Sequence, residues 1–257
     1  MSLIVALQAI VRRNITMMTR YIFNTLSGFV SIYLIFCFIF FGMKAFAKPG
    51  PSFDSSLEGT VVGFFVWTLA LFAFSELSWD LINEAQTGTL EQLYLAPCGF
   101  KWLSIFNLLT NLTVNIVAST ILLLAMMATT GRWLNLDIIS IVPLLLMTVL
   151  TAYGVGFALG GLALIFKRIQ AFFQIMQFVF IGCLVIPWRL AWAKFLPLSL
   201  GNALIYKVMA GGVRLWELPL GDVLMATGIG LGYLTLGLLV FSACERAAKG
   251  RGLLGHY

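Results

Sequence analysis

Six apolar runs, at roughly 22–43, 59–79, 103–129, 138–166, 170–187 and 222–244, take up most of this chain of 257 residues. A helix needs about 20 mostly apolar residues to cross a bilayer core, and the runs leave no interval large enough for a water-soluble domain. The longest interval, 188–221, is itself semi-apolar. Only 10% of the residues are charged, whereas a soluble domain carries about 25%, and the mean hydropathy is +1.00. A chain of this kind cannot cover itself against water. The sequence therefore predicts an all-α membrane protein of six transmembrane helices, built as a single domain over residues 1–257.

The net charge of +6 does not point to nucleic acid. Its basic residues stand singly or in pairs between the apolar runs, as membrane flanks do. Placing the N-terminus inside puts nine Lys and Arg inside: Arg12, Arg13, Arg20, Lys101, Lys167, Arg168, Arg246, Lys249 and Arg251. Seven then lie outside: Lys44, Lys48, Arg132, Arg189, Lys194, Lys207 and Arg214. The ratio becomes nine to three when 188–221 is set aside, so both termini are expected in the cytoplasm.

The N-terminal stretch MSLIVALQAIVRRNITMMTRY has its apolar part before its charges, the reverse of a signal peptide. It is expected to be an amphipathic interface helix. Leu3, Leu7, Ile10 and Met17 would share one face, and Arg12, Arg13 and Arg20 would turn towards headgroups. The segment WRLAWAKFLPLSLGNALIYKVMAGG holds two short apolar pieces broken by Pro197 and Gly201. It is expected to form a re-entrant or surface-lying helix pair on the outer side, between spans five and six, with protein covering its free backbone groups.

Catalytic and metal-binding patterns are missing. No lysine is followed by Ser or Thr, so there is no GxxxxGK[ST] phosphate loop. There is no GxGxxG, HExxH or GxSxG either. Cys37, Cys98, Cys183 and Cys244 stand far apart with no CxxC, and the one histidine is His256. Such cysteines behave as small buried hydrophobes rather than a disulfide framework or metal site.

One polar stretch stands between two apolar runs: NEAQTGTLEQLYLAP, residues 83–97. Thr89 can cap a helix, with Gln92 completing a capping box and Glu91 in the first turn, where the helix dipole favours an acid. Pro97 ends it. Leu90, Leu93 and Tyr94 share one face. Two turns are not stable alone, so the helix must pack on something. Two readings stand side by side: a connector lying on the bilayer, and a knob gripped by a partner protein.

The stretch NEAQTGTLEQLYLAPCGF resembles the cytoplasmic loop of ABC-2 type transporter permeases, where an acid, GTLEQL and a proline follow the second span. The tail FSACERAAKGRGLL is similar to that family's ending, and LPLSLGNALIYKVMAGG resembles its outer segment before the last span. The resemblance implies a single ABC-2 type transmembrane domain over residues 1–257, with no nucleotide-binding domain of its own. It implies a dimer with a second copy of this or a related permease, and two separate ATPase subunits that bind ATP and Mg. Glu84, Gly88, Thr89, Leu90, Glu91, Gln92, Leu93 and Tyr94 would form the coupling helix, seated in a cleft of the ATPase. Where the family often has a further charge before the glycine, this chain has Ala85 and Gln86, so charge-based docking rests on Glu84 and Glu91. The implied location is the inner (plasma) membrane of a prokaryote, in contact with membrane lipid. The cargo expected is a hydrophobic or amphipathic, drug-like or lipid-like compound moving outward. A polysaccharide or lipid-linked glycan is the alternative, and a motor-free channel or structural membrane protein is the alternative of another class. A channel would show rings of charge or filter motifs, and neither is evident.

Polar residues within the apolar runs complete the reading. Asn107, Asn111, Asn115 and Ser119 repeat every four residues in the third run, and Gln170, Gln174 and Gln177 mark the start of the fifth. In lipid such stripes must face protein or a wet cavity. The asparagines read first as interhelical hydrogen bonding. The glutamines read equally as pathway lining, because the fifth span lines the pathway in proteins similar to this one. The candidate pathway is Phe29, Tyr33, Gln170, Phe173, Gln174 and Gln177. Glu76 and Asp80 are expected at the interface, and Gly156 with Gly160 is expected to allow close helix packing.

Overall fold

The computed structural model describes residues 3–46, 51–87, 100–166, 170–186, 190 and 192–250, with the side chains of 3, 4, 6, 46, 51–54, 76–87, 100–105, 164, 170, 249 and 250 outside that description. Among the described residues there are eight α-helices and no strand. They are α1 (Leu3–Arg20), α2 (Ile22–Phe46), α3 (Pro51–Thr87), α4 (Phe100–Thr130), α5 (Ile138–Phe166), α6 (Gln170–Val185), α7 (Ser199–Met209) and α8 (Leu220–Gly250). Short 3-10 turns at Ala193–Phe195 and Leu215–Glu217 flank α7.

Five helices are long and apolar enough to cross a membrane, over Ile22–Ala45, Ser55–Ser75, Phe106–Thr130, Ile138–Ala163 and Leu220–Ala248. A multi-pass helical membrane protein follows from that count. The run expected as the fifth span forms α6, which has 16 residues and so measures about 24 Å. That is short of a hydrocarbon core of about 30 Å.

The helix α3 departs from the expected span in length. It runs unbroken for 37 residues, about 55 Å, although its apolar part ends at Ser75. The continuation SELSWDLINEAQT holds no proline or glycine, so nothing in it breaks a helix. Positions 76, 80 and 84 fall on consecutive turns of this extension.

The centre of the bundle is α3 against α5. In α3 67% of the apolar window is buried, against 11% in α2 and 17% in α8. Phe36, Phe40, Phe74, Phe180, Leu69 and Leu144 fill the core with essentially no exposure. The outer faces of α2 and α8 are apolar and open: Phe23, Phe38, Leu236 and Leu239 are all exposed, as lipid-facing or partner-facing residues are.

The most extensive contact joins α5 to α8, and glycines make it possible. Gly154 and Gly161 on α5 and Gly230 and Gly237 on α8 lie in this contact: Gly237 meets Gly154, Gly161 meets Phe241, and Gly230 meets Met147. A Cβ at Gly161 would lie 2.8 Å from the Cα of Phe241, and one at Gly230 would lie 2.6 Å from the carbonyl of Met147. A Cβ at Gly237 would overlap the carbonyl of Gly154. Lipid tails are as apolar as leucine, so helices in a bilayer are held by such close approach. Gly156 and Gly160 are buried, but the contact runs through their neighbours Gly154 and Gly161.

Within the segment expected to be a re-entrant pair, α7 is largely enclosed, while Trp192 and Phe195 before it are exposed. Leu200, Ala203, Leu204, Ile205 and Val208 of α7 are all buried, among α3, α5, α6 and α8. Gly201 lets the α7 backbone press on Thr148, whose Cβ would lie 2.8 Å from an added methyl. Thr148 lies ten residues into α5, about 15 Å along it. The hydroxyl of Tyr233, thirteen residues into α8, donates to the carbonyl of Phe195 at 3.1 Å. At its other end, the α7 carbonyl of Met209 accepts from the amide of Asn135 at 2.8 Å, in the connection between α4 and α5. So α7 starts deep in the bundle and rises to the end where α3, α5 and α8 begin.

Candidate functional site

Three regions could serve a function: the acidic extension of α3, the faces of α2 and α6, and the polar end around α7.

Glu84 lies in the unbroken part of α3, three residues before its end at Thr87. Gly88, Thr89, Leu90, Glu91, Gln92, Leu93 and Tyr94 lie outside the described residues. The helix expected from Thr89 onward is therefore neither seen nor displaced. What is seen is that α3, anchored in the core, continues unbroken to Thr87.

The candidate pathway residues divide between two sides of α3. Phe29 makes an edge contact with Phe72, centroids 5.5 Å apart, and Phe173 packs on Phe74 at 5.5 Å. Phe72 and Phe74 are two residues apart, which is about 200° around a helix. Phe29 and Tyr33 line a groove of about 600 Å³ between α2 and α4, to which Met18 and Leu26 also contribute. Its walls are Val30, Thr113, Val117, Ala118, Ile121 and their neighbours, almost wholly apolar. On the other side Phe173 is buried, Gln174 is exposed and Gln177 is half-buried. The Trp67 indole donates to the carbonyl of Gln177 at 3.3 Å, which fixes α6 to α3. Gln170 opens α6, and its side chain is outside the described residues. One copy of the chain thus does not bring the two halves together.

The asparagine stripe has a partner that its periodicity did not reveal. The side-chain amide of Asn14 in α1 donates to Asn111 at 2.5 Å and to Asn107 at 3.3 Å. Ile10, Asn14 and Met18 share the α1 face turned to α4: Ile10 is buried, and Met18 lines the groove. The expected apolar face of α1 is therefore split, with Ile10 inward and Leu7 and Met17 exposed. Further along the stripe Asn115 and Ser119 are buried.

Charges gather at the α7 end. Asp222 at the start of α8 pairs with Lys194 at 3.6 Å and Lys207 at 3.9 Å. Arg132 pairs with Glu58 at 3.8 Å. Tyr206 donates its hydroxyl to the carbonyl of Ser55 at 3.3 Å. Ser140 accepts from the amide of Leu215 at 2.9 Å and donates to Asp137 at 2.6 Å. These bonds tie the α7 segment to three helices, α3, α5 and α8. Reading the sequence missed Asp222, Lys194 and Lys207 as a group, because they lie in separate segments and follow no spacing.

Among the described residues no three His, Cys, Asp or Glu side chains gather as metal ligands. No family model, curated protein or solved structure matches the chain.

Proposed function

We propose that the chain is the membrane subunit of an ATP-driven exporter of the ABC-2 type, working as a dimer with two copies of a separate ATPase. One observation supports this most: α3 does not stop at the end of its apolar part but continues as one helix to Thr87, directly before GTLEQL. A rigid helix that joins the buried core to a docking motif is what a mechanical coupling needs. ATPase closure pushing on Thr89–Tyr94 would move α3 as a lever, and α3 touches α2, α4, α5, α6 and α7.

In this reading the membrane is crossed six times. The turn at Ala193–Phe195 and α7 form the re-entrant element on the outer side, and the rise of α7 completes the crossing that α6 begins. Broken helices at membrane depth are tolerated where protein covers their backbone, and α7 is so covered. The helix α1 lies at the cytoplasmic interface, and both termini are cytoplasmic. Cargo passes between two copies, along Phe29 and Tyr33 of α2 and Phe173, Gln174 and Gln177 of α6. The apolar character of these faces favours a hydrophobic or amphipathic compound over a polysaccharide.

The test is co-expression with an ATPase encoded beside this chain, followed by purification on a tag carried by this chain alone. A stable complex that moves a fluorescent amphipathic compound in vesicles, only with ATP, supports the proposal. A chain that purifies alone and conducts without ATP is the motor-free channel.

A further inference from the structure

We infer that the first turn of α7 binds one buried water molecule, held between the backbone amides of Leu200 and Gly201 and the hydroxyls of Thr148 and Thr151 on α5. The first four amides of a helix have no acceptor within it. In α7 two of the four are met: the amide of Ser199 donates to the carbonyl of Leu196 at 3.4 Å, and that of Asn202 to the carbonyl of Leu198 at 2.8 Å. The amides of Leu200 and Gly201, between them, have no acceptor among the described residues. No side chain caps the turn, because the residue at the cap is Leu198. A second, separate deficit lies in the same turn. Ser199 is only 4% exposed, and its hydroxyl has no partner. Side chains of a helix tilt towards its N-terminus, so this hydroxyl leans towards the end that the two amides also face. Buried polar groups of this kind are normally paired, with protein or with ordered water.

A cavity of about 10 Å³ adjoins the turn. Leu200 and Gly201 line it from α7, Thr148 and Thr151 from α5, and Ala226 from α8. Gly201 has no side chain, so what it presents to the cavity is backbone. Both threonine hydroxyls give their protons to α5 carbonyls, those of Leu144 at 2.6 Å and Thr148 at 2.7 Å, which leaves their oxygens as acceptors. The cavity therefore has two donors in its α7 lining and two acceptors in its α5 lining. Size decides the occupant. One water needs a space of about 10–15 Å³ and two to four polar partners. An anion finds no cation in the lining, and a larger ligand would need about 300–1,000 Å³. The water does for α7 what a capping side chain does for other helices, and it joins α7 to α5 where Gly201 brings the two together. This inference does not rest on the proposed motor, and its test uses the chain without an ATPase.

The full chain, isotope-labelled in glycine and asparagine, is reconstituted in lipid bilayers, and the transfer of magnetisation from water protons to each amide is timed by solid-state NMR. The Gly201 amide is expected to receive it early. Gly161, buried within α5, receives it late, and so does Asn202, whose amide is bonded to Leu198. Thr148→Val combined with Thr151→Val keeps the outline of both side chains and removes both acceptors, and it should slow Gly201 to the rate of Gly161. A second measurement needs no variant: a high-resolution structure of the unaltered chain is expected to show one water about 3 Å from the Gly201 amide, and a dry cavity there would overturn the inference. So would a Gly201 amide as slow as Gly161, or early transfer that survives the double substitution. Early transfer to Asn202 as well would also overturn it, because the turn would then open to bulk water instead of holding a single molecule.

Discussion

The side-chain amide of Asn14 donates to Asn111 across 97 residues of chain, and this bond fixes the first helix to the fourth. A hydrogen bond between helices in lipid is worth about 0.6–2 kcal/mol. Asn14→Ala and Asn111→Ala are each expected to cost about 1 kcal/mol, and the double variant no more than the larger single loss, because the two share one interaction. Thermal unfolding in detergent of the four proteins measures the cycle. Additive losses would show that the two side chains do not act on each other.

The glycine seam between α5 and α8 is expected to be intolerant of side chains. Gly237→Leu places carbon into the carbonyl of Gly154, and overpacking of this kind costs about 1–3 kcal/mol. Gly28→Leu is the control, because nothing lies within 4 Å of a Cβ built there. Its effect on thermal stability is expected to stay within about 0.5 kcal/mol.

Gly201 is expected to be as strict, for a different reason. An added methyl there would overlap the side chain of Thr148, pushing α7 away from α5. Gly201→Ala should lower the fraction of protein that elutes as a single species, and Thr148→Ala should restore part of it. Full tolerance of Gly201→Ala alone would mean that α7 is not packed on α5.

Asp222 holds two lysines, Lys194 before α7 and Lys207 within it. The groups are partly exposed, so the pairs count for little individually, about 0–1 kcal/mol each. Asp222→Asn leaves two cations facing each other without a counter-charge. It is expected to lower the melting temperature at low ionic strength, with the difference narrowing as salt screens the lysines. A loss independent of salt would mean that the residue acts through packing.

The crossing helices were legible because length and hydropathy are local properties: the runs at 22–43, 138–166 and 222–244 became helices beginning or ending within a few residues of those limits. The extension of α3 was not, because falling hydropathy after Ser75 marks where apolar character ends and not where the helix ends. The asparagine stripe announced that something polar must meet it, but its partner Asn14 lies some 90 residues earlier, beyond the reach of any periodicity. The glycines show the same limit. Gly154 and Gly161, which contact α8, stand seven apart and no spacing of four singled them out. The burial of α7 was hidden by its composition, since a glycine-broken, partly polar segment reads as a surface element until the helices around it are in place. Of the candidate pathway, the aromatic faces of α2 and α6 were legible and their separation by α3 was not.

The most direct test of the central claim is the ATPase rate of the purified chain together with its partner ATPase, with and without Glu91→Arg combined with Leu93→Asp. The account predicts that the unaltered chain binds the ATPase and changes its rate. The double substitution should abolish binding, or leave hydrolysis running without transport, while the chain remains folded by gel filtration. An ATPase that never associates, or a double variant indistinguishable from the unaltered protein in rate and transport, would contradict it. The segment after Thr87 would then be only a connector on the bilayer surface.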